Sequence, residues 1–330
     1  MLYLSDLLFI IKMKRKYRTD LKKTKKYNTH INKKDIVYII RRSDPNVGIF
    51  SCILTFLTHL RYADEKGYIP VIDMMNYDNE YLYNNELGVI NAWEFYFEQP
   101  KDTTVEQAYG LYKKIKISSG HFQKQFIPSN EFLCSKESDD SIIWKNLWKK
   151  YINVNSQTKQ YLESMYKNIE KKCHGNHFLG VLCRGTDYFH YTNAQGNIDI
   201  ELKLMKVIEF VGNIAEKKEC QYIFLATEDQ DIFDRFFKAF AERLLYFDDE
   251  RLQSDEDQLL GQAWKKNNID LKKKGLNYIL NFYVLSQAKF FVGARTSASV
   301  FLPIVGEKEY MFFYDLVNIE DEIRKEQESV

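Results

Sequence analysis

The stretch FLGVLCRGTDYFHY, residues 178–191, starts as a continuous apolar run and becomes polar at Arg184. Apolar residues without alternation are typical of a strand that is covered on both faces, as the strands of parallel sheets are. We therefore predict a buried strand over residues 178–183. The arginine that follows it keeps its charge at any physiological pH. It is either a surface residue at a turn or a fixed cation that holds an anion.

Outward from this strand, the C-terminal half alternates between short apolar runs and segments with helical spacing. Such alternation is typical of a parallel, doubly wound α/β sheet. Further strands are predicted at 222–227, 243–247 and 289–293, and helices at 199–218, 229–240, 276–287 and from 296 onward. The lysine-rich segment 265–274 is predicted to be a solvated loop.

The N-terminal half contains a shorter unit of the same kind. A strand at 35–40, a helix at 50–67 and a strand that starts at Tyr68 form a predicted βαβ unit. The predicted fold class is therefore α/β, with two Rossmann-like, doubly wound domains. The predicted divisions are a basic leader over 1–34, an N-terminal domain over 35–170, a C-terminal domain over 171–310 and a tail over 311–330.

Composition and charge limit the classes of function. The chain of 330 residues is 45% hydrophobic and 28% charged, which is typical of a folded globular protein. Residues 1–34 hold 11 of the 47 basic and 2 of the 46 acidic residues, so the remainder carries 36 basic against 44 acidic residues. This negative balance argues against nucleic acid as a partner of the folded domains.

The cysteines and histidines predict a reduced, metal-free protein. Five cysteines, none in a CxxC pair, fit reduced thiols in the cytoplasm better than a disulfide framework. His174 and His177 lie in a glycine-containing polar turn without acidic or thiolate partners at ligand spacing, so we predict no metal there.

The leader joins a short apolar segment to a polybasic run. The apolar segment, about eleven residues, is too short to span a bilayer. We expect either a disordered basic leader or peripheral contact with anionic lipid at the inner face of the membrane.

Polar side chains follow three of the predicted strands, and ligands of open parallel sheets bind beyond the carboxyl ends of strands. An arginine fork and hydroxyls at a helix N-terminus suit a diphosphate, and a carboxylate suits the paired N–H donors of guanine. The sequence therefore predicts a nucleotide-sugar site, with helix and turn capping as the structural alternative. Its candidate residues are Arg184, Gly185, Asp187, Glu228, Asp229, Thr296, Ser297 and Ser299.

The segments GVLCRGTDY, YIFLATEDQDIF and LSQAKFFVGARTSAS resemble the three donor-site motifs of the fucosyltransferase superfamily, within residues 178–305. This resemblance implies a GT-B architecture whose two domains face a cleft, GDP-fucose as donor, inversion at the anomeric carbon, and no metal or other cofactor. It also implies that Arg184 holds the β-phosphate, that Glu228 reads guanine, and that Thr296 and Ser297 meet the diphosphate.

The chain departs from the family pattern at three positions. Leu182 replaces a histidine, Gly185 replaces a second arginine, and Thr192 replaces the glutamate that serves as base in the α-1,6 enzymes. The base must therefore be sought elsewhere. The candidates are Asp73, which ends a strand of the other domain and is preferred, His190 and Glu94.

Two further residues of the N-terminal domain are predicted substrate contacts. Gly48 opens the segment GIFSCILTFLTHLRYADEKGYIPVID, which supports the same resemblance more weakly. Trp93 is a candidate for stacking on acceptor sugar rings, although core packing is the favoured role of this aromatic stretch. The acceptor is predicted to be a glycan or lipid-linked oligosaccharide of surface polysaccharide synthesis, reached from the cytoplasm.

Two other functions stay open. Asp229 and Asp231 follow a strand at the spacing of acids that hold Mg²⁺ or Mn²⁺ beside a sugar nucleotide, which would indicate a metal-dependent GT-A transferase. A non-catalytic nucleotide-sugar-binding protein would keep the fold without a base, and Thr192 is compatible with that function.

Overall fold

The computed structural model of the chain describes residues 4–23, 34–127, 139–184, 200–252, 270–315 and 318–328. The chain divides into two compact units, Met1–Lys159 and Gln160–Val330, and each has its own parallel sheet. The α/β fold class predicted from the sequence is confirmed. The division between the units falls earlier in the chain than the predicted boundary at residue 170.

The N-terminal unit is built on a three-stranded parallel sheet in the order β2-β1-β3. Its strands are β1 (Ile36–Ile40), β2 (Ile69–Ile72) and β3 (Lys114–Ile117). Its helices are α1 (Leu4–Lys23), α2 (Ile49–Lys66), α3 (Val105–Leu111), α4 (Asp139–Tyr151) and the start of α5 (Ser156–Cys173), which continues into the second unit.

The predicted βαβ unit is confirmed, because α2 joins two parallel neighbours, β1 and β2. Ile53, Phe56 and Leu60 lie at helical spacing on α2 and have no exposed surface, so this face of the helix is core. Gly67 ends the helix in the left-handed conformation (φ 63°), which glycine adopts at little cost.

Helix α1 corrects the expectation of a disordered leader over Leu4–Lys23, whereas residues 1–3 and 24–33 of the predicted leader lie outside the described residues. Ile10, Met13 and Tyr17 are at most 5% exposed and belong to one hydrophobic cluster with residues of β1, β2 and α3. Asp6 forms an ion pair with Arg41 (3.4 Å) at the end of β1. One face of the helix therefore completes the core, a role that the basic composition of the segment conceals.

The C-terminal unit has a five-stranded parallel sheet in the order β6-β5-β4-β7-β8. Its strands are β4 (Phe178–Leu182), β5 (Tyr222–Ala226), β6 (Leu244–Leu245), β7 (Phe290–Ala294) and β8 (Tyr310–Tyr314). Its own helices are α6 (Ile200–Lys217), α7 (Gln230–Phe240), α8 (Leu271–Gln287), α9 (Leu302–Val305) and α10 (Ile319–Glu328).

The strands predicted in this half are confirmed, and two other expectations are wrong. The expected tail over 311–330 contains most of β8, which pairs with β7, and α10, whose Glu320 forms an ion pair with Lys206 of α6. Of the expected solvated loop over 265–274, residues 265–269 lie outside the described residues, and the chain is helical from Leu271, where Asp270 caps α8. Lys274 is only 5% exposed, so it is not solvated. No helix within the described ranges is long and apolar enough to cross a bilayer.

Candidate functional site

The strand order of the C-terminal sheet places a switch point between β4 and β7. From β4 the chain proceeds to β5 and β6 on one side, and it returns to β7 and β8 on the other. At such a point the connections leave in opposite directions and open a crevice beyond the carboxyl ends of the strands, where ligands bind. Arg184 follows β4 and Thr296 follows β7, so the sequence motifs flank this crevice.

Arg184 is held beside Glu228 at the carboxyl ends of β4 and β5. Leu182 pairs with Ala226 in the sheet register, so the residues two positions later on each strand are neighbours. Arg184 Nη2 lies 3.4 Å from Glu228 Oε1, and the two side chains are 34% and 12% exposed. The structure thus brings two predicted site residues into one ion pair, in which the arginine is the more accessible partner.

The loop after β7 is organised by Ser299. This residue has no exposed surface, and its Oγ accepts a hydrogen bond from the Thr296 N–H (2.8 Å) and donates to the Ala294 carbonyl (2.9 Å). The Ser299 N–H in turn donates to Thr296 Oγ1 (3.2 Å). Ser299 therefore shapes the loop from inside, whereas Thr296 and Ser297 are half-buried at its surface.

The helix that follows this loop is shorter than predicted. A 3₁₀ turn over Ser299–Phe301 leads into α9, which has four residues. Four residues align few peptide dipoles, so the anion-binding contribution expected from a helix N-terminus is small here. Hydroxyls and backbone N–H groups of the loop are the groups left to meet a diphosphate.

Asp229 has the structural role that was the alternative to substrate contact. It is fully buried, and its Oδ1 accepts a hydrogen bond from the Ile232 N–H (3.0 Å) as the N-cap of α7. A carboxylate used in this way inside the protein does not face a ligand. Asp231, in the first turn of α7, is exposed.

Asp249 is a carboxylate at the same sheet edge that the sequence reasoning did not identify. It follows β6 and is half-buried, its Oδ2 lies 3.4 Å from Asn281 Nδ2, and burial raises its pKa. Backbone hydrogen bonds join its segment to the loop after β5 and to the first residue of α7, from the Leu252 N–H to the Glu228 carbonyl (3.0 Å) and from the Gln230 N–H to the Leu252 carbonyl (3.1 Å). The sequence signal that could have identified Asp249 is the acidic run over residues 248–250, directly after the predicted strand 243–247.

Asp73, the preferred base, lies inside the N-terminal unit. It has no exposed surface, and burial raises its pKa. Its oxygens accept hydrogen bonds from the Met75 N–H (3.0 Å), the Asn76 N–H and amide (3.0 to 3.2 Å) and the Tyr109 hydroxyl (3.2 Å). These contacts fix the chain after β2 and use both carboxylate oxygens, which gives Asp73 a structural role.

Trp93 is also a core residue rather than a sugar-stacking platform. It is fully buried, stacks on Phe97 with ring centroids 4.3 Å apart, and donates from Nε1 to the Glu98 carbonyl (2.9 Å). Glu94, its neighbour, is exposed, and its Oε1 accepts from the Gln99 amide (2.8 Å). Of these aromatic-segment candidates, only Glu94 is accessible.

Gly48 is exposed and is the N-cap of α2, where its carbonyl accepts from the Ser51 and Cys52 N–H groups. Its φ of −65° is open to any residue, and a Cβ would meet only the Tyr81 hydroxyl, at 3.9 Å. The conformation therefore does not require glycine. Three further candidates, Gly185, Asp187 and His190, lie outside the described residues.

Solved structures share this fold. NodZ α-1,6-fucosyltransferase soaked with GDP-fucose is 15% identical with a TM-score of 0.52, over 86% of this chain and 97% of its own. NodZ co-crystallised with GDP is 16% identical with the same TM-score, over 82% and 92% of the two chains. The chain has the fold of these fucosyltransferases. No protein-family model matches the sequence, and no curated protein matches it either.

The likeness confirms the GT-B-like, α/β fold class that the motifs implied. A GT-A fold, on which the metal-dependent alternative rested, is excluded by this result. Within the described ranges, no three His, Cys, Asp or Glu side chains lie close enough together to hold a metal ion. Asp229 is among these described residues, and its carboxylate accepts the capping hydrogen bond of α7.

Proposed function

We propose that the chain is an inverting, metal-independent glycosyltransferase that moves fucose from GDP-fucose to a hydroxyl of a glycan acceptor. The observation that carries the proposal is the position of Arg184, at the switch point of the five-stranded sheet and beside the hydroxyl-bearing loop after β7. The same fold occurs in NodZ, which has been crystallised with GDP and with GDP-fucose.

Arg184 supplies the chemistry that the donor half of the reaction needs. When the sugar leaves, negative charge develops on the diphosphate, and a group that meets that charge lowers the barrier. A guanidinium offers two parallel N–H donors to phosphate oxygens and keeps its charge throughout. The Thr296 and Ser297 hydroxyls, at the carboxyl end of the neighbouring strand, bind the same diphosphate.

Glu228 contacts Arg184 and does not recognise guanine. The two side chains are 3.4 Å apart, whereas guanine and the β-phosphate lie at opposite ends of GDP. Glu228 is therefore a positioning residue that orients the guanidinium. We assign recognition of guanine to Asp249, a half-buried carboxylate one strand further from the switch point, whose Asn281 partner fixes its orientation.

The acceptor half of the reaction needs a base for the attacking hydroxyl. With Asp73 buried inside its own unit, His190 and Glu94 are the remaining candidates, and His190 lies six residues after Arg184 in the sequence. We place the reaction in the cytoplasm, on a glycan or lipid-linked oligosaccharide of surface polysaccharide synthesis. The cysteines among the described residues form no disulfide, and the N-terminal segment is basic; both observations support this placement.

The test is consumption of GDP-fucose by the full chain in the presence of a mixed glycan extract. We expect release of GDP that depends on the extract, incorporation of fucose into it, and no loss of activity in excess chelator. UDP-galactose serves as the control donor and should not be consumed. Binding of GDP-fucose without turnover would instead indicate a non-catalytic binding protein, and loss of activity in chelator would contradict the metal-independent reaction.

A further inference from the structure

Helix α1 exposes four large apolar side chains in its first two turns. Leu4, Leu7, Leu8 and Ile11 are 74%, 46%, 60% and 40% exposed. At 3.6 residues per turn they share one face of the helix, about 140° from the face that carries Ile10, Met13 and Tyr17. Apolar residues scattered singly on a surface are ordinary, but a contiguous apolar face marks an interaction site.

The opposite face fixes the helix on the N-terminal unit, so the apolar face cannot turn inward. Tyr17 donates a hydrogen bond to Asn76 Oδ1 (3.1 Å), and the Phe9 and Tyr77 rings pack with centroids 5.3 Å apart. Lys16 donates to the Gly88 carbonyl (2.5 Å) from the flank of the helix. The folded unit therefore presents the apolar face outward as a fixed surface.

The next turns of the same face are cationic. Arg15 and Arg18 lie four and seven residues after Ile11, at helical spacing that continues the face, and both are exposed. The outward face is thus apolar over its N-terminal half and positively charged over its C-terminal half. We define these six residues, Leu4, Leu7, Leu8, Ile11, Arg15 and Arg18, as the α1 outer face.

We propose that the α1 outer face docks on an anionic lipid bilayer, with the helix lying in the interface. The leucines and isoleucine enter the boundary between headgroups and acyl chains, and the arginines contact lipid phosphates. Charge favours lipid as the occupant, because anionic phosphates attract Arg15 and Arg18, whereas the α1 outer face of a second copy of the chain has no acidic residue to pair with them. The proposal concerns α1 alone and does not depend on the transfer reaction.

The test is co-sedimentation of the full chain with vesicles at low salt, comparing phosphatidylcholine with an equimolar phosphatidylcholine–phosphatidylglycerol mixture. We expect binding to the anionic vesicles only. Leu7→Ser with Leu8→Ser should weaken it by at least roughly tenfold, because two apolar side chains no longer leave water. Arg15→Gln with Arg18→Gln should weaken it by roughly 10- to 30-fold and reduce its dependence on salt.

Ile142→Ser is the matched control, because Ile142 is 53% exposed on α4 of the same unit and lies outside the α1 outer face. It should bind vesicles as the unchanged chain does. The proposal is overturned if the unchanged chain binds both kinds of vesicle equally or neither, or if the leucine variant binds as before. It is also overturned if light scattering shows a dimer that the leucine variant loses, because the face would then pair two copies.

Discussion

Replacing Arg184 with lysine is expected to lower kcat for transfer from GDP-fucose by about 10²–10³-fold, the range seen when one donor to a developing negative charge is lost. Lysine keeps the charge but is a point donor, so it cannot make two parallel contacts to phosphate oxygens. Because the charge on the diphosphate grows as the sugar leaves, most of the loss should appear in kcat rather than in KM. Steady-state kinetics with GDP-fucose measures both.

The control for this prediction is Arg235→Lys on α7, where the arginine forms an exposed ion pair with Glu201 (3.1 Å). That variant should keep its activity, since exposed ion pairs contribute little. If Glu228 acts through Arg184, Glu228→Gln should lower kcat on its own but add almost nothing in the Arg184→Lys background. An Arg184→Lys enzyme within threefold of the unchanged enzyme would place Arg184 outside the reaction.

Replacing Ile10 with alanine is expected to reduce the free energy of unfolding by about 2–5 kcal/mol, the usual cost of truncating a buried isoleucine. Ile10 is 5% exposed and belongs to the cluster that α1 shares with β1, β2 and α3. Its neighbour Ile11 is 40% exposed, so Ile11→Ala should change the free energy by no more than about 0.5 kcal/mol. Urea denaturation followed by circular dichroism compares the two variants.

The adjacent pair makes the outcome easy to interpret, because the two substitutions remove the same atoms from the same turn of one helix. Equal and small effects would mean that α1 is not part of the core. Deletion of residues 1–30 would then leave the folded protein intact, as expected for a disordered leader. A large loss of unfolding free energy for Ile10→Ala alone supports the packing of α1 on the N-terminal unit, with the α1 outer face directed outward.

The strands of the C-terminal sheet were predictable because each apolar run is bounded by polar or turn residues. Strand β8, residues Tyr310–Tyr314, was missed because a short apolar run near the end of a chain has no periodicity that separates it from a tail. Its assignment depends on pairing with β7, a tertiary contact. In α1, the helical spacing of Ile10, Met13 and Tyr17 was visible in the sequence, but the seven basic residues of the helix concealed it.

The candidate site was predictable where it depends on strand ends and was not predictable where it depends on register or burial. Arg184 and Thr296 directly follow apolar runs, so the topology rule for parallel sheets placed them near each other. The ion pair of Arg184 with Glu228 depends on the register of β4 against β5, which the sequence does not contain. The burial of Asp73 depends on Tyr109, which follows it by 36 residues.

The central claim is that the carboxyl edge of the five-stranded sheet binds a guanine nucleotide, and calorimetric titration of the full chain with GDP, UDP, ADP and CDP tests it most directly. We predict that GDP binds at least about tenfold more tightly than the other three, because a carboxylate that accepts two N–H groups discriminates guanine by that much or more. Asp249→Asn should weaken the binding of GDP, and so reduce the ratio of GDP affinity to UDP affinity, without changing the affinity for UDP. Equal affinity for all four nucleotides, or tighter binding of UDP, would contradict the account.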